Sequence, residues 1–270
     1  MKYNLLVILL VTIYSCSIFK IKKEDKKTSL DLTSYNSDDF DFSVIVYDCD
    51  DNNYFIFNDS LSKIPFSPAS TFKIANAIVA LENKVVTNEN FELPWDSIVR
   101  SYPNWNKTQN LNSAFKNSTV WYFQEIARRI GPERMIVGLQ KIKYCDSTFK
   151  INDDIDEFWL NGNLKKNLIG QIEFINQLSS KKLNLRKKTY KTLENIMASD
   201  TISNTYIYSK TGWGVEGNED IGWFVGYLIK NNKKYVFGSL IKTRNYEKVD
   251  IVKLRKEIIY SALKSLGITN

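Results

Sequence analysis

The hydrophobic pattern changes period along the chain, and the changes mark out its elements. Leu5–Ile13 is an unbroken, almost wholly aliphatic run of nine residues. Residues 17 to about 38 are polar and lysine-rich, without apolar period. Phe42–Tyr47 and Tyr54–Phe57 read as strands, and Asp50-Asp51-Asn52-Asn53 between them is turn chemistry, so together they predict a hairpin. Helical spacing dominates the middle, over Ser70–Glu82, Val120–Ile130, Pro132–Ile142 and Gln171–Leu178. Gly131-Pro132 ends one of these helices and starts the next. Thr205–Thr211, Ile221–Ile229 and Tyr235–Ile241 return to β-branched and aromatic composition, with Asn231-Asn232 turning the last pair. Asp250–Leu266 closes the chain as an amphipathic helix. Strands first, helices in the middle, then strands and a helix predict an α+β fold. One antiparallel sheet would be built from the N-terminal hairpin and a C-terminal meander, flanked by helices, with a central helical region.

The first run is too short for a bilayer span, which needs roughly 20 apolar residues. After Met1-Lys2 it reads as the core of a signal peptide over residues 1–16. Ser15-Cys16 resembles a lipoprotein processing site, which makes Cys16 a candidate lipid anchor. A plain signal peptide is the alternative. The expected organisation is then a leader at 1–16, a linker at 17–38 and one catalytic domain at 39–270. The expected location is outside the cytoplasm, periplasmic or lipid-anchored on the outer side of the cytoplasmic membrane. Cys49 and Cys145 would pair there only if the fold brings them together.

The net charge is +7, which raises the question of nucleic acid. Residues 1–27 hold six lysines against Glu24 and Asp25, so the rest of the chain carries only +3. Nucleic acid is therefore not an expected partner. Histidine is absent, which excludes Ser-His-Asp and Cys-His mechanisms. Three cysteines are too few for a Cys₄ metal centre, and no metal site is expected.

The simplest remaining nucleophile and base are serine and lysine. In Ser-x-x-Lys on a helix the two side chains share a face. The spacing alone is uninformative, because it occurs at Ser17, Ser60, Ser70, Ser113, Ser147, Ser179, Ser239 and Ser261. Even Ser-Thr-Phe-Lys occurs twice, at Ser70–Lys73 and Ser147–Lys150. Context separates them. An apolar run, Ile74–Leu81, follows Lys73 and would bury a helix with Ser70 in its first turn, at the positive end of the dipole. The second copy runs into acidic, loop-like Asn152–Asp156. Two further pieces are Ser118-Thr119-Val120, where Ser118 alone would read as a helix cap, and Lys210-Thr211-Gly212 at the end of a strand pattern. Glycine at 212 would let a ligand approach the backbone closely.

In this order, Ser70-Thr71-Phe72-Lys73, Ser118-Thr119-Val120 and Lys210-Thr211-Gly212-Trp213-Gly214 resemble the active-site motifs of the class D serine β-lactamases, the oxacillinases. Trp105-Asn106, Phe158-Trp159-Leu160 and the closing helix around Arg255 agree, and the likeness runs from about Phe42 to Ile268. The resemblance implies the serine β-lactamase and penicillin-binding transpeptidase-like fold. It implies hydrolysis of β-lactam antibiotics, and hence resistance, through an acyl-enzyme on Ser70. Lys73 would be the general base, carried as an N6-carboxylysine formed with CO2 or bicarbonate; no other cofactor is implied. Trp159 would hold that carbamate and Val120 shield it. Ser118 would relay a proton toward the lactam nitrogen, with Lys210 tuning the field there. Backbone N–H groups of Ser70 and Trp213 would form the oxyanion hole, and Thr211, Gly212 and Arg255 would hold substrate, with Arg244 the rival to Arg255. The family usually has Tyr-Gly-Asn where this chain reads Tyr144-Cys145-Asp146, which bears on the substrate wall. The alternative function is a penicillin-binding protein or β-lactam sensor-like domain that acylates without turnover.

Overall fold

The computed structural model describes residues 25–152, 154–202 and 205–270. The expected leader and residues 17–24 of the expected linker lie outside them.

The described chain begins with β1 (Lys26–Ser29), β2 (Phe40–Asp48), β3 (Asn53–Phe57) and α1 (Asp59–Ser62). The helical region follows. It contains α2 (Lys73–Glu82), the short strands β4 (Glu92–Leu93) and β5 (Gln109–Asn110), α3 (Leu111–Lys116), α4 (Val120–Ile130), α5 (Pro132–Lys141), α6 (Leu168–Ser179) and α7 (Lys187–Met197). The chain closes with β6 (Ala198–Ile202), β7 (Thr205–Glu216), β8 (Glu219–Lys230), β9 (Lys233–Thr243) and α8 (Ile251–Ser265).

The expected hairpin and meander do form one sheet, in the order β1-β3-β2-β9-β8-β7-β6. The join is the antiparallel pairing of β2 with β9, from Phe40 opposite Thr243 to Asp48 opposite Tyr235. Alternation along β2 explains the layering. Phe42, Val44 and Val46 face a core with α8, where Ile258, Ile259 and Ala262 are buried. Ile45 and Tyr47 face the other core, shared with α2, α4, α6 and α7. The sheet therefore lies between one closing helix and the helical region.

The linker expectation needs correcting. Residues 26–29 form an edge strand that pairs parallel with β3, and Leu30 and Leu32 are buried beside α8. All four residues of β1 are exposed, so backbone pairing at a sheet edge forms this strand without a hydrophobic signal. Between α4 and α5, Gly131 has φ +77°, a conformation that a side chain disfavours, which ends α4 at the expected place.

Candidate active site

Ser70 stands in a short 3-10 helix, Ala69–Phe72, that runs directly into α2. The α-helix thus starts three residues later than the sequence pattern predicts. Ala69, just before Ser70, has φ +46°, a strained conformation for a residue with a Cβ. The turn puts Lys73 Nζ 2.8 Å from Ser70 Oγ. Lys73 is fully buried, while Ser70 keeps 9% exposure at the surface of the site. Among the described residues no carboxylate compensates the lysine. Its surroundings are aromatic: Nζ lies 5.4 Å from the centre of the Phe123 ring, and Phe72 stacks on Trp159 at 5.0 Å. Burial pushes its pKa down from 10.5 to about 7, so a large fraction is a free amine at neutral pH. Trp159 is fully buried, and its indole N–H has no hydrogen-bond partner among the described residues. A buried donor without an acceptor costs about 1–3 kcal/mol. Val120 opens α4, whose inner face packs against α2.

Ser118 is not the cap of α4. That position belongs to Thr119, whose side chain makes no capping bond. Ser118 instead takes φ +54° and accepts a hydrogen bond from Lys210 Nζ at 2.5 Å. Lys210 is buried on β7, and its ammonium is disfavoured first by burial, then by Lys73, Arg255 and Lys256. Two lysines whose charged forms are disfavoured thus each hold a serine hydroxyl, one at Ser70 and one at Ser118.

Strand β7 packs against the Ser70 turn, and the glycines permit it. A Cβ at Gly212 would lie 3.0 Å from the Pro68 carbonyl and 3.1 Å from Thr71 Cγ2. The space beside Gly212 is therefore filled by the nucleophile's own turn, not left for a ligand as the sequence reading expects. This approach sets the backbone of Trp213 beside the Ser70 turn. The Trp213 indole is 41% exposed and donates to Asp220 Oδ1 at 2.7 Å. Arg255 is buried on α8 and donates from Nη1 to the Gly212 carbonyl at 2.5 Å. Its Nε has no hydrogen-bond partner among the described residues, and burial lowers its pKa to about 10. The rival, Arg244, is 68% exposed and pairs with Glu219, away from the site. Thr211 and Arg255 line a cleft of about 480 Å³ together with Lys210.

The second Ser-Thr-Phe-Lys copy is not assembled. Ser147 and Lys150 are both exposed in irregular chain. The preceding departure, Tyr144-Cys145-Asp146, lies behind the nucleophile: the buried Tyr144 ring meets Phe72 at 5.7 Å and Phe174 at 4.8 Å. The left-handed residue of this loop is Lys143, at φ +55°, so cysteine at 145 carries no such strain. Asp146 accepts from the Thr148 N–H and hydroxyl within its own loop. Cys49 and Cys145 are free thiols, and burial raises each to about 11.

One group of residues has no motif to betray it. Glu216, near the end of β7, accepts from the Ser67 N–H at 3.0 Å and from Lys165 Nζ at 2.6 Å. Lys165 also donates to Ser67 Oγ at 3.0 Å. Lys165 follows Trp159 by six residues, and Ser67 precedes Ser70 by three. The cluster ties together the strand, the nucleophile turn and the tryptophan segment. Lys165→Met should cost about 1 kcal/mol in urea unfolding, as for a half-exposed charged hydrogen bond. It should lower kcat/KM by roughly three- to tenfold through displacement of the site. Lys165→Arg should restore most of both.

Comparison with known proteins agrees with this geometry. Residues 24–264 match the penicillin binding protein transpeptidase domain. The chain is 34% identical to beta-lactamase OXA-10 of Pseudomonas aeruginosa over 206 residues, 75% of this chain and 76% of that protein. The crystal structure of the class D beta-lactamase YbXI from Nostoc superposes with a TM-score of 0.80 at 38% identity, covering 85% of this chain and 95% of that one. The C-terminal domain of the Bacillus licheniformis BlaR penicillin-receptor superposes at 0.82 with 25% identity, covering 91% and 98%. With Ser70 on Lys73, Ser118 on Lys210 and this likeness over most of its length, the chain belongs to the penicillin-binding transpeptidase family and, within it, to the class D β-lactamases, hydrolases of β-lactams.

Proposed function

We propose that the hydrolysis runs through an acyl-enzyme on Ser70, with its base carried by a carbamylated Lys73. The observation that carries this reading is the pairing of a fully buried lysine, lowered to about 7, with an unpartnered indole N–H in the same aromatic pocket. Only the neutral amine reacts with CO2, and burial supplies it. The bound carboxylate would supply a general base for both acylation and deacylation. Trp159 would donate to it, and Val120 would keep water from its far side.

The rest of the reaction falls to the chain's own groups. Ser70 Oγ, beside Lys73 at 2.8 Å, would give up its proton to the base that Lys73 carries as its oxygen bonds to the lactam carbonyl carbon. The carbonyl oxygen, now negative, takes hydrogen bonds from the Ser70 and Trp213 backbone N–H groups. The ring C–N bond breaks, and the nitrogen takes the Ser118 hydroxyl proton. Lys210, 2.5 Å from Ser118 Oγ, steadies that oxygen by hydrogen bonding, and the proton taken from Ser70 makes good the one Ser118 gave up. Thr211 and Arg255 orient the substrate carboxylate, for which the guanidinium fork is suited. Water then attacks the acyl carbon and frees Ser70. The apolar leader implies that this occurs outside the cytoplasm, with Cys16 as the candidate lipid attachment point.

The experiment is a comparison of Ser70→Ala and Ser147→Ala by intact mass with a penicillin, together with turnover of a chromogenic cephalosporin. Ser70→Ala should form no adduct, while Ser147→Ala should acylate and turn over as the parent does. A penicilloyl adduct on Ser70→Ala would overturn the assignment. A burst of one equivalent followed by arrest would place the protein with the receptor domains rather than the hydrolases.

A further inference from the structure

Ser118 gives the lactam nitrogen its proton in the reaction above, and it does so from a left-handed backbone. Its φ of +54° is one that a residue with a Cβ keeps only under restraint. Backbone bonds hold the turn on one side. The Ser118 N–H donates to the Phe115 carbonyl at 3.2 Å and the Thr119 N–H to the Ala114 carbonyl at 2.8 Å, which ties the turn to the end of α3. The hold on the other side is a side chain: the Asn117 carbonyl accepts from the Trp105 indole N–H at 2.9 Å. The peptide unit joining Asn117 to Ser118 is therefore gripped at both ends, its N–H by Phe115 and its C=O by Trp105. Because the unit is planar, turning it changes φ of Ser118 and carries Oγ away from Lys210.

Trp105 is fixed in turn by a second indole. Trp121, in the first turn of α4 and only 6% exposed, donates from Nε1 to the Trp105 carbonyl at 2.9 Å. Trp105 ends a 3-10 turn, Pro103–Trp105, whose Asn104 carbonyl accepts from Gln109 Nε2 at 2.7 Å. The bonds close a ring, from Ser118 along the chain to Trp121, across to Trp105, and back to the peptide before Ser118. Packing alone explains a tryptophan at either position. It does not explain two indole N–H groups set in series on backbone carbonyls, the second of which adjoins a reacting serine.

We propose that Trp105 and Trp121 are positioning residues for the proton transfer from Ser118, holding its hydroxyl toward the lactam nitrogen. The inference rests on the role given to Ser118 above. Ring opening uses that proton, whereas attack of water on the acyl carbon uses the base that Lys73 carries. The relay should therefore act on acylation and leave deacylation alone. A displacement of about 1 Å can slow a reaction on the order of a hundredfold, and loss of one restraint among several slows it less.

Trp105→Phe removes the bond to Asn117, and Trp121→Phe removes the bond behind it. The test reads both steps by intact mass with a penicillin in excess bicarbonate. Acylation is followed by formation of the adduct, and deacylation by its decay once free drug is removed. Acylation should slow roughly ten- to thirtyfold in Trp105→Phe and about three- to tenfold in Trp121→Phe, with deacylation within about twofold of the parent. Loosening of the whole site would slow both steps. In Ser118→Ala, acylation should already be slow, and either indole change should slow it by less than about twofold more, because the hydroxyl they position is gone. Equal losses in the two steps, no loss in either variant, or an undiminished further loss on the Ser118→Ala background overturns the inference. Slow acylation by Ser118→Ala beside unimpaired indole variants overturns the inference alone. Acylation by Ser118→Ala at the parent rate overturns the proton route through Ser118, and the inference with it. If Ser118→Ala forms no adduct, the split between the two steps in the single variants decides. Urea unfolding identifies a variant that fails to fold, and the other indole variant then carries the test.

Discussion

Lys73→Met should abolish turnover and, in the same molecule, stabilise the fold. The lost activity follows from the 2.8 Å contact: methionine offers Ser70 no proton acceptor, and turnover should fall by a factor on the order of 10⁴ or more. The stability gain follows from the burial. A lysine whose pKa is lowered from 10.5 to about 7 binds fewer protons folded than unfolded between those values. Stability contributed at this residue therefore rises with pH from about 7 to 10.5, and below 7 the full penalty applies. At 1.36 kcal/mol per pKa unit that penalty is about 4–5 kcal/mol in acid, before relaxation. Methionine has similar volume and no charge to desolvate. In degassed buffer at pH 6 the variant should gain roughly 2 kcal/mol in urea unfolding, and the gain should shrink as the pH rises toward 10. A variant less stable than the parent at pH 6 would mean that the site solvates its ammonium.

The same residue shows why so much of the site was legible in the sequence. Ser70 and Lys73 meet because they are three apart on one turn, and Ile74–Leu81 buries the helix that carries them. Ser118 and Lys210 meet across 92 residues, and the structure brings them to 2.5 Å. No local rule pairs them; their ordered motifs carried that information. Strands β7, β8 and β9 declare themselves through aromatic and β-branched composition. Helix α7 does not, because Lys187, Lys188 and Lys191 dilute its apolar stripe and two of its buried positions are Thr189 and Thr192. Helix α3 has six residues, too few for a period to show. The Glu216–Lys165–Ser67 cluster joins three segments through ordinary polar residues, which any lysine-rich surface would also supply. The φ values of Ala69 and Ser118 had no glycine to announce them. Tertiary packing imposes that strain at both reacting serines, where positioning matters most.

Trp159→Phe should make activity depend steeply on added bicarbonate while leaving the fold in place. Trp159 does two jobs that phenylalanine separates. Its ring stacks on Phe72 at 5.0 Å and meets Phe158 edge-on at 5.1 Å, contacts a phenyl ring largely keeps. Its N–H is a buried donor that no acceptor among the described residues satisfies, and phenylalanine removes it. Because that donor is unpaired in the protein alone, its loss costs little stability; the smaller ring should cost about 1–2 kcal/mol through the space it leaves. If the donor serves a carboxylate on Lys73, its removal forfeits a charge-assisted bond of about 1.5–3 kcal/mol and lowers occupancy by one to two powers of ten. The variant should then lose roughly 10–100-fold in kcat in degassed buffer and recover much of it as bicarbonate is raised. Deacylation should suffer more than acylation, because an acyl-enzyme persists while its base is absent. The effect should deepen below pH 7, where the Lys73 amine becomes protonated and unreactive toward CO2. Steady-state turnover from pH 5.5 to 8.5 with and without bicarbonate would be read beside a ¹³C-bicarbonate NMR spectrum of parent and variant. A parent protein fully active in degassed buffer, with no labelled carboxylate signal on lysine, would leave the free Lys73 amine as the base and the indole N–H without a role in the chemistry.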